Sequence, residues 1–219
     1  MRIRAKGRAV TVLVKARVAA WVFALGFGLS GCFETEPLTE AAERGLQPTA
    51  GPSEVVVLDG SVKVVGPIGY CIDTEATRES DIEAFVLLVR CRGTLRPAPV
   101  LSATVTGLTA PDNDDPDALR RLTDYLSTPA GRAQLSRSGD PSEVTVEEAT
   151  YANNAIWLLI EDRGNPASFD DTYWRAVLPI AGRIVTLSVL SAAEHPLDSG
   201  SGLATIRSFV TRMRRANVD

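Results

Sequence analysis

The sequence predicts an α+β fold, an antiparallel sheet packed by helices, and three observations carry that reading. Short β-branched, apolar segments recur through residues 55–65, 84–106 and 143–191. Two short helical segments interrupt them at about 116–136, and a longer amphipathic helix closes the chain at about 202–215. A run of strands, a pair of helices, more strands and a last helix is not the alternation that builds a parallel sheet.

The elements follow in order. Val55-Val56-Val57-Leu58, Asp59-Gly60 and Val62-Lys63-Val64-Val65 read as a hairpin, because Asp-Gly favours a type I′ turn. Residues 69–73 form a short strand, and 84–91 are apolar and β-branched enough for a buried one. Residues 101–106 alternate as a strand does. Asp115-Pro116-Asp117 opens a helix, with Asp115 placed to cap it and proline suited to its first position. Leu119, Leu122 and Leu126 then make one apolar stripe. Thr128-Pro129 opens a second short helix to about Ser136. Strands follow at 143–148, 153–161, 173–179 and 183–191, with Ala181-Gly182 as the turn between the last two. In the closing helix Leu203, Ile206, Phe209, Val210 and Met213 share a face, and Arg207, Arg214 and Arg215 lie on the other.

The whole chain of 219 residues has 23 basic and 27 acidic side chains, a net charge of −4, with 45% apolar and 23% charged residues. These are the proportions of an ordinary folded protein. The charge is unevenly placed. Residues 1–31 carry six basic residues and no acid, so residues 32–219 hold 17 basic against 27 acidic, a net −10. A domain of that charge is not expected to bind nucleic acid, which needs clustered positive charge. It is not expected to dock on anionic lipid by charge either.

The N-terminus reads as an address. A basic stretch ends at Arg17, twelve apolar residues run from Val18 to Leu29, and Ser30-Gly31 precede Cys32. Twelve helical residues span about 18 Å, short of the ~30 Å hydrocarbon core, so the segment reads as a secretory signal peptide rather than a mature transmembrane helix. Leu29-Ser30-Gly31-Cys32 resembles the lipobox of bacterial lipoproteins. That resemblance implies a diacylglycerol on the Cys32 thiol, cleavage before Cys32 and acylation of the new amino group. Only cysteine supplies the thiolate for such a thioether. Two or three acyl chains give stable anchoring at roughly 0.8 kcal/mol per buried CH₂. Phe33 and Glu34 follow Cys32 where an Asp would commonly retain a lipoprotein at the inner membrane, so the outer membrane, facing the periplasm, is the expected site in a diderm host.

Residues 32–53 then read as lipidated cysteine and tether, with three prolines, two glycines and four glutamates among 33–53. Fully extended, those 21 residues reach about 70 Å. Residues 54–217 form one extracytoplasmic domain, long enough for a real core. Its element order resembles PsbP-like domains, in which a curved antiparallel sheet lies between helices. The resemblance covers most of 54–216 in element order and no signature residues, and it implies a binding or assembly role.

Beyond Cys32 two cysteines remain, Cys71 and Cys91. An even remainder in an exported chain reads as a disulfide, and closing a loop of about 20 residues contributes roughly 3 kcal/mol. The alternative is a metal or redox pair, which the spacing and the lack of a histidine cluster disfavour.

Other candidates are weaker. His195 is the only histidine and lies before Pro196; it reads as an exposed loop residue more readily than as a general base. Lys63 is the only lysine after Cys32, and no Ser-x-x-Lys precedes it. The run from Asp198 to Leu203 could hold an anion at a helix N-terminus, but capping by Ser199 or Ser201 is the plainer reading. Asp112, Asp114 and Asp115 begin like a calcium loop, yet Pro116 stands at the third ligand position, so a solvated loop is favoured over a metal site. Trp157, Tyr173 and Trp174 could line a ligand groove, although aromatic residues in strands more often pack a core. Asp162 to Pro166, with Asp170 and Asp171, reads as a long polar loop and a contact surface.

The expectation is a membrane-anchored lipoprotein whose domain binds a ligand or an envelope protein, with no catalytic residue, metal or cofactor. The alternatives are a carboxylate-dependent envelope hydrolase, needing two acids about 5–9 Å apart, and a small-ligand carrier marked by an apolar pocket at Trp157 or Trp174. Replacing Cys32 by Ala is expected to move the protein from the membrane to the soluble fraction; a mutant as membrane-bound as wild type on fractionation would end the lipoprotein reading.

Overall fold

The first hairpin shows how the local sequence rules play out. In the computed structural model β1 (Glu54–Val57) and β2 (Val62–Val65) pair antiparallel, with Val57 opposite Val62. Asp59 and Gly60 have φ of 53° and 84°, and the Ser61 N–H donates to the Leu58 carbonyl at 3.0 Å. This is the expected Asp-Gly turn, but Leu58 also takes a positive φ of 52° and leaves the ladder. The structure describes residues 49–92, 98–110, 117–136, 138–164 and 166–218, all within the unit Glu34–Asp219. Cys32, Asp112, Asp114 and Asp115 therefore lie outside the described residues, as does the expected cap at Asp115.

Seven further strands form one sheet: β3 (Tyr70–Glu79), β4 (Glu83–Arg90), β5 (Val100–Thr109), β6 (Val144–Tyr151), β7 (Ile156–Asp162), β8 (Thr172–Ile180) and β9 (Arg183–Leu190). Their order is β3-β4-β5-β9-β8-β7-β6, and every neighbouring pair is antiparallel. Hence the predicted α+β class holds. β3 runs six residues beyond its expected end at Asp73, because its outer half is a polar edge strand with no apolar run to announce it. Residues 49–52, expected in the tether, lie against the sheet instead. The Thr49 N–H donates to Arg90 O at 3.0 Å, and the Ile72 N–H donates to Pro52 O at 2.7 Å.

The described residues also form three helices: α1 (Ala118–Leu126), α2 (Pro129–Leu135) and α3 (Ser199–Ala216). α1 begins after Asp117, whose side chain makes no capping bond and pairs with Arg120 at 3.3 Å. Thr128 caps α2, accepting from the Gly131 N–H at 3.2 Å, and Pro129 takes the first helical position. Among the described residues no helix is long and apolar enough to cross a membrane.

The sheet has a core on each face. Alternation along β4 shows it: Ala84, Val86 and Leu88 join Ile206, Phe209 and Met213 of α3, whereas Leu87 and Val89 join Leu119, Leu126 and Leu135 of α1 and α2. On the α3 face Val57, Val62 and Val64 bring the β1–β2 hairpin into the same core. Asn217, just past α3, fixes it there. Its side-chain amide accepts from the Lys63 N–H and donates to the Lys63 carbonyl, both at 2.8 Å, as a neighbouring strand would.

Cys71 and Cys91 are disulfide-bonded, with Cα atoms 5.0 Å apart, and tie the start of β3 to the residue after β4. Such a bond is compatible with an extracytoplasmic domain. Beside it Tyr70 faces Arg90 across the β3–β4 ladder, the guanidinium 4.8 Å from the ring centre. Burial pushes the Tyr70 phenol up from 10.0 to about 12, although the nearby Arg90 charge pulls the other way. A raised phenol pKa favours the protonated folded state, so its contribution is complete below pH 10 and is lost as pH rises through about 12. Urea midpoints should therefore fall over that range in wild type and fall less steeply in Tyr70→Phe. Equal slopes would contradict the burial of this phenol.

Candidate functional site

The terminal helix and the far edge of the sheet do not close completely over one another. Between α3 and the β6–β7 hairpin lies a cleft of about 290 Å³. Its apolar lining comes from Trp157 of β7, Trp174 of β8, and Leu203 and Val210 of α3. Glu148 of β6 stands on one wall, and Arg207 and Arg214 of α3 stand on the other.

Each side chain is there for a local reason. Trp174 is 4% exposed, and its Nε1–H donates to the Ser199 carbonyl at 2.8 Å, which anchors the ring to the first turn of α3. Gly202 lets the helix approach: a Cβ there would lie 2.7 Å from Trp174 Cδ1. Trp157 is half-buried and donates from Nε1 to Ala152 O at 3.1 Å. Ala152 to Ala155 form a two-residue turn, with Asn153 and Asn154 at φ of 52° and 53°. Arg214 Nη2 donates to the carbonyls of both asparagines, at 2.6 and 3.0 Å, and so ties the hairpin to α3. Burial draws Arg214 below the usual arginine value.

Glu148 reaches the cleft through a bulge. Val146 pairs with Ile160 and Glu148 with Leu159, so Glu147 is an extra residue in β6. Before the bulge Val144 and Val146 pack in the core of α1 and α2; after it, Ala149 and Tyr151 do. The one-residue shift turns Glu148 and Thr150 toward α3. Arg207 is exposed, and its guanidinium makes no hydrogen bond or ion pair among the described residues. Glu148 accepts a long 3.4 Å bond from Thr150 Oγ1. The cleft therefore offers an indole floor, one guanidinium with no partner among the described residues, one anchored guanidinium and one carboxylate.

The other sequence candidates fall elsewhere. Tyr173 belongs to the opposite core and lies under Arg175 at 5.2 Å, so it does not share the groove with the two tryptophans. His195 is exposed in a turn, its backbone N–H bonded to Ala192 O at 2.9 Å. Lys63 approaches Glu54 at 3.8 Å on the surface of the hairpin. Asp198, rather than Ser199 or Ser201, caps α3, accepting from the Ser201 N–H at 2.9 Å. Hydrogen bonding from Ser201 holds its carboxyl below the ordinary range, and this carboxylate occupies the place an anion would take. Asp162 is 1% exposed, and its carboxylate accepts from the Gly164 N–H at 3.0 Å, so it is a buried loop anchor and not part of a contact surface. The loop beyond it is likewise held: the Asp170 N–H donates to Ser191 O at 2.9 Å, and Phe169 is buried. Among the described residues no three histidine, cysteine or acidic side chains cluster as metal ligands.

Sequence reasoning missed Glu148 and the role of the two arginines. Glu148 gave no signal, because alternation carried through the bulge misplaces it. Arg207 and Arg214 were visible only as the polar face of α3.

No protein-family profile and no curated protein matches the sequence. Two solved structures are similar in chain path, each 13% identical. A single-residue mutant of the protein Mog1 covers 74% of this chain and 93% of its own, with a TM-score of 0.36. The Ran-binding protein Mog1p of Saccharomyces cerevisiae covers 77% of this chain and 95% of its own, with a TM-score of 0.38. Neither is named as a PsbP protein, and scores this low carry no inference about this chain.

Gly202→Ala tests the packing at the floor. Helix propensity alone would stabilise the variant by up to about 1 kcal/mol. The contact with the hydrogen-bonded Trp174 ring should outweigh it, for a net loss of about 1–3 kcal/mol in chemical denaturation. A more stable variant would show that α3 and Trp174 do not meet this closely.

Proposed function

We propose that the chain is a lipid-anchored bacterial lipoprotein whose extracytoplasmic domain binds a small ligand in the cleft between α3 and the β6–β7 hairpin. Acylated Cys32 holds it to the membrane, and the tether carries the domain clear of the lipid. With Phe33 and Glu34 after the anchor, the outer membrane of a diderm host is its destination, facing the periplasm. The observation that carries the binding reading is the pairing of Trp157 and Trp174 in one open, part-apolar cleft with the exposed Arg207 at its rim. Ligand sites have this composition, an apolar body with a few polar groups that fix orientation, and 290 Å³ is near the lower end of their sizes.

Placement supports the reading. Residues 49–52 join the sheet at β3 and β4, whereas the cleft is at β6 and β7, the opposite edge of the same seven strands. The two edge strands, β3 and β6, are six spacings apart, roughly 29 Å at about 4.8 Å each. The described chain therefore begins on the side of the sheet away from the cleft. A two-carboxylate hydrolase finds less support, because among the described residues Glu148 is the only acid lining the cleft.

Native mass spectrometry of the protein isolated from its own membranes tests the proposal. A small-molecule adduct is expected on wild type, and its loss is expected in Trp157→Ala. An adduct retained in full by that variant, or a wild type with none, would remove the cleft as the binding site.

A further inference from the structure

We propose that the ligand of this cleft is a small monocarboxylate with an aromatic or aliphatic body. The proposal rests on the reading of the cleft as a binding site and adds the chemical class it selects.

Charge is the first argument. Residues 32–219 carry a net −10, yet α3 has Arg207, Arg212, Arg214 and Arg215 and no acid in its 18 residues. Two of these, Arg207 and Arg214, line the cleft and place positive charge there on an acidic protein, which raises the local concentration of anions. The lining is the second. Arg207 and Arg214 against Glu148 leave one positive charge in excess, which a monoanion balances. A dianionic phosphate would bring its second charge toward Glu148. A cation would meet two guanidiniums.

Donor supply is the third argument. A guanidinium presents a planar fork of N–H groups that matches a carboxylate. Arg214 commits Nη2 to the Asn153 and Asn154 carbonyls and is held in place by them. Arg207, seven residues earlier and so two turns away on the same helix face, commits none of its donors to the described residues. The fixed arginine shapes the wall and the free one takes the carboxylate. The body of the ligand then lies on Trp157, Trp174, Leu203 and Val210. A volume of about 290 Å³ accommodates a single ring or a short branched chain.

The test uses the acylated protein beginning at Cys32, in lipid nanodiscs, where Trp157 and Trp174 are the tryptophans. The probes are hydrocinnamate, its neutral amide and phenethylamine, followed by indole emission. Hydrocinnamate should give a saturable change and bind about tenfold more tightly than the amide, the worth of one charge-assisted contact. Arg207→Gln should weaken hydrocinnamate about tenfold and erase its preference over the amide. If the amide or the amine binds as well as the carboxylate, or if the preference survives in Arg207→Gln, the carboxylate assignment is overturned and the cleft remains a binding site. If no probe gives a saturable change, the cleft reading falls with it.

Discussion

The structure turns on a mismatch of widths. Seven strands at about 4.8 Å make a sheet roughly 29 Å wide, and a helix with its side chains covers about 10–12 Å. One helix cannot bury such a face. Here α3 covers the middle, with Ile206, Phe209 and Met213 fully buried, and the β1–β2 hairpin covers the β3–β4 side with Val57, Val62 and Val64. Among the described residues no third element covers the β6–β7 side, where Trp157 and Leu159 are only half-buried. The cleft is the uncovered third of that face, and its tryptophans do double duty as the margin of a core and the floor of a site.

The opposite face solves the same problem differently. α1 and α2 lie over the β6–β7 side, where Leu119, Leu126 and Leu135 pack with Val144, Ile156, Leu158 and Ile160. The edge left open on one face is therefore braced on the other. That bracing, the Glu147 bulge and the Arg214 clamp together hold the cleft walls in place. Under the proposed binding role, walls held in this way would lower the ordering cost of binding.

Much of this was legible in the sequence, for identifiable reasons. The α3 stripe, the buried run of β4 and the turns at Asp59-Gly60 and Ala181-Gly182 are local features, and the structure keeps them. Trp157 and Trp174 could be named as groove candidates from residue type alone, but Tyr173 could not be separated from Trp174 without the strand's face being known. What stayed hidden depends on tertiary context. The outer half of β3, Glu75 to Glu79, is polar because it lies at an edge. Glu148 depends on a bulge that breaks period-two reasoning. Choosing Asp198 over Ser199 as the cap of α3 needed the helix start to within one residue.

The contact between Asn217 and Lys63 joins residues 154 apart, nearly the two ends of the domain. Val65 likewise donates to the Met213 sulfur at 3.3 Å. A chain made N-terminus first therefore delivers its opening hairpin well before the helix that completes its packing. Val57, Val62 and Val64 share their core with Ile72 and Val86 of the early strands, but its other side, Ile206, Phe209 and Met213, comes only with α3. Closing so long a loop is slow and gains its contacts only at the end. The core under the hairpin is therefore complete only once α3 has been made, however early the hairpin itself pairs.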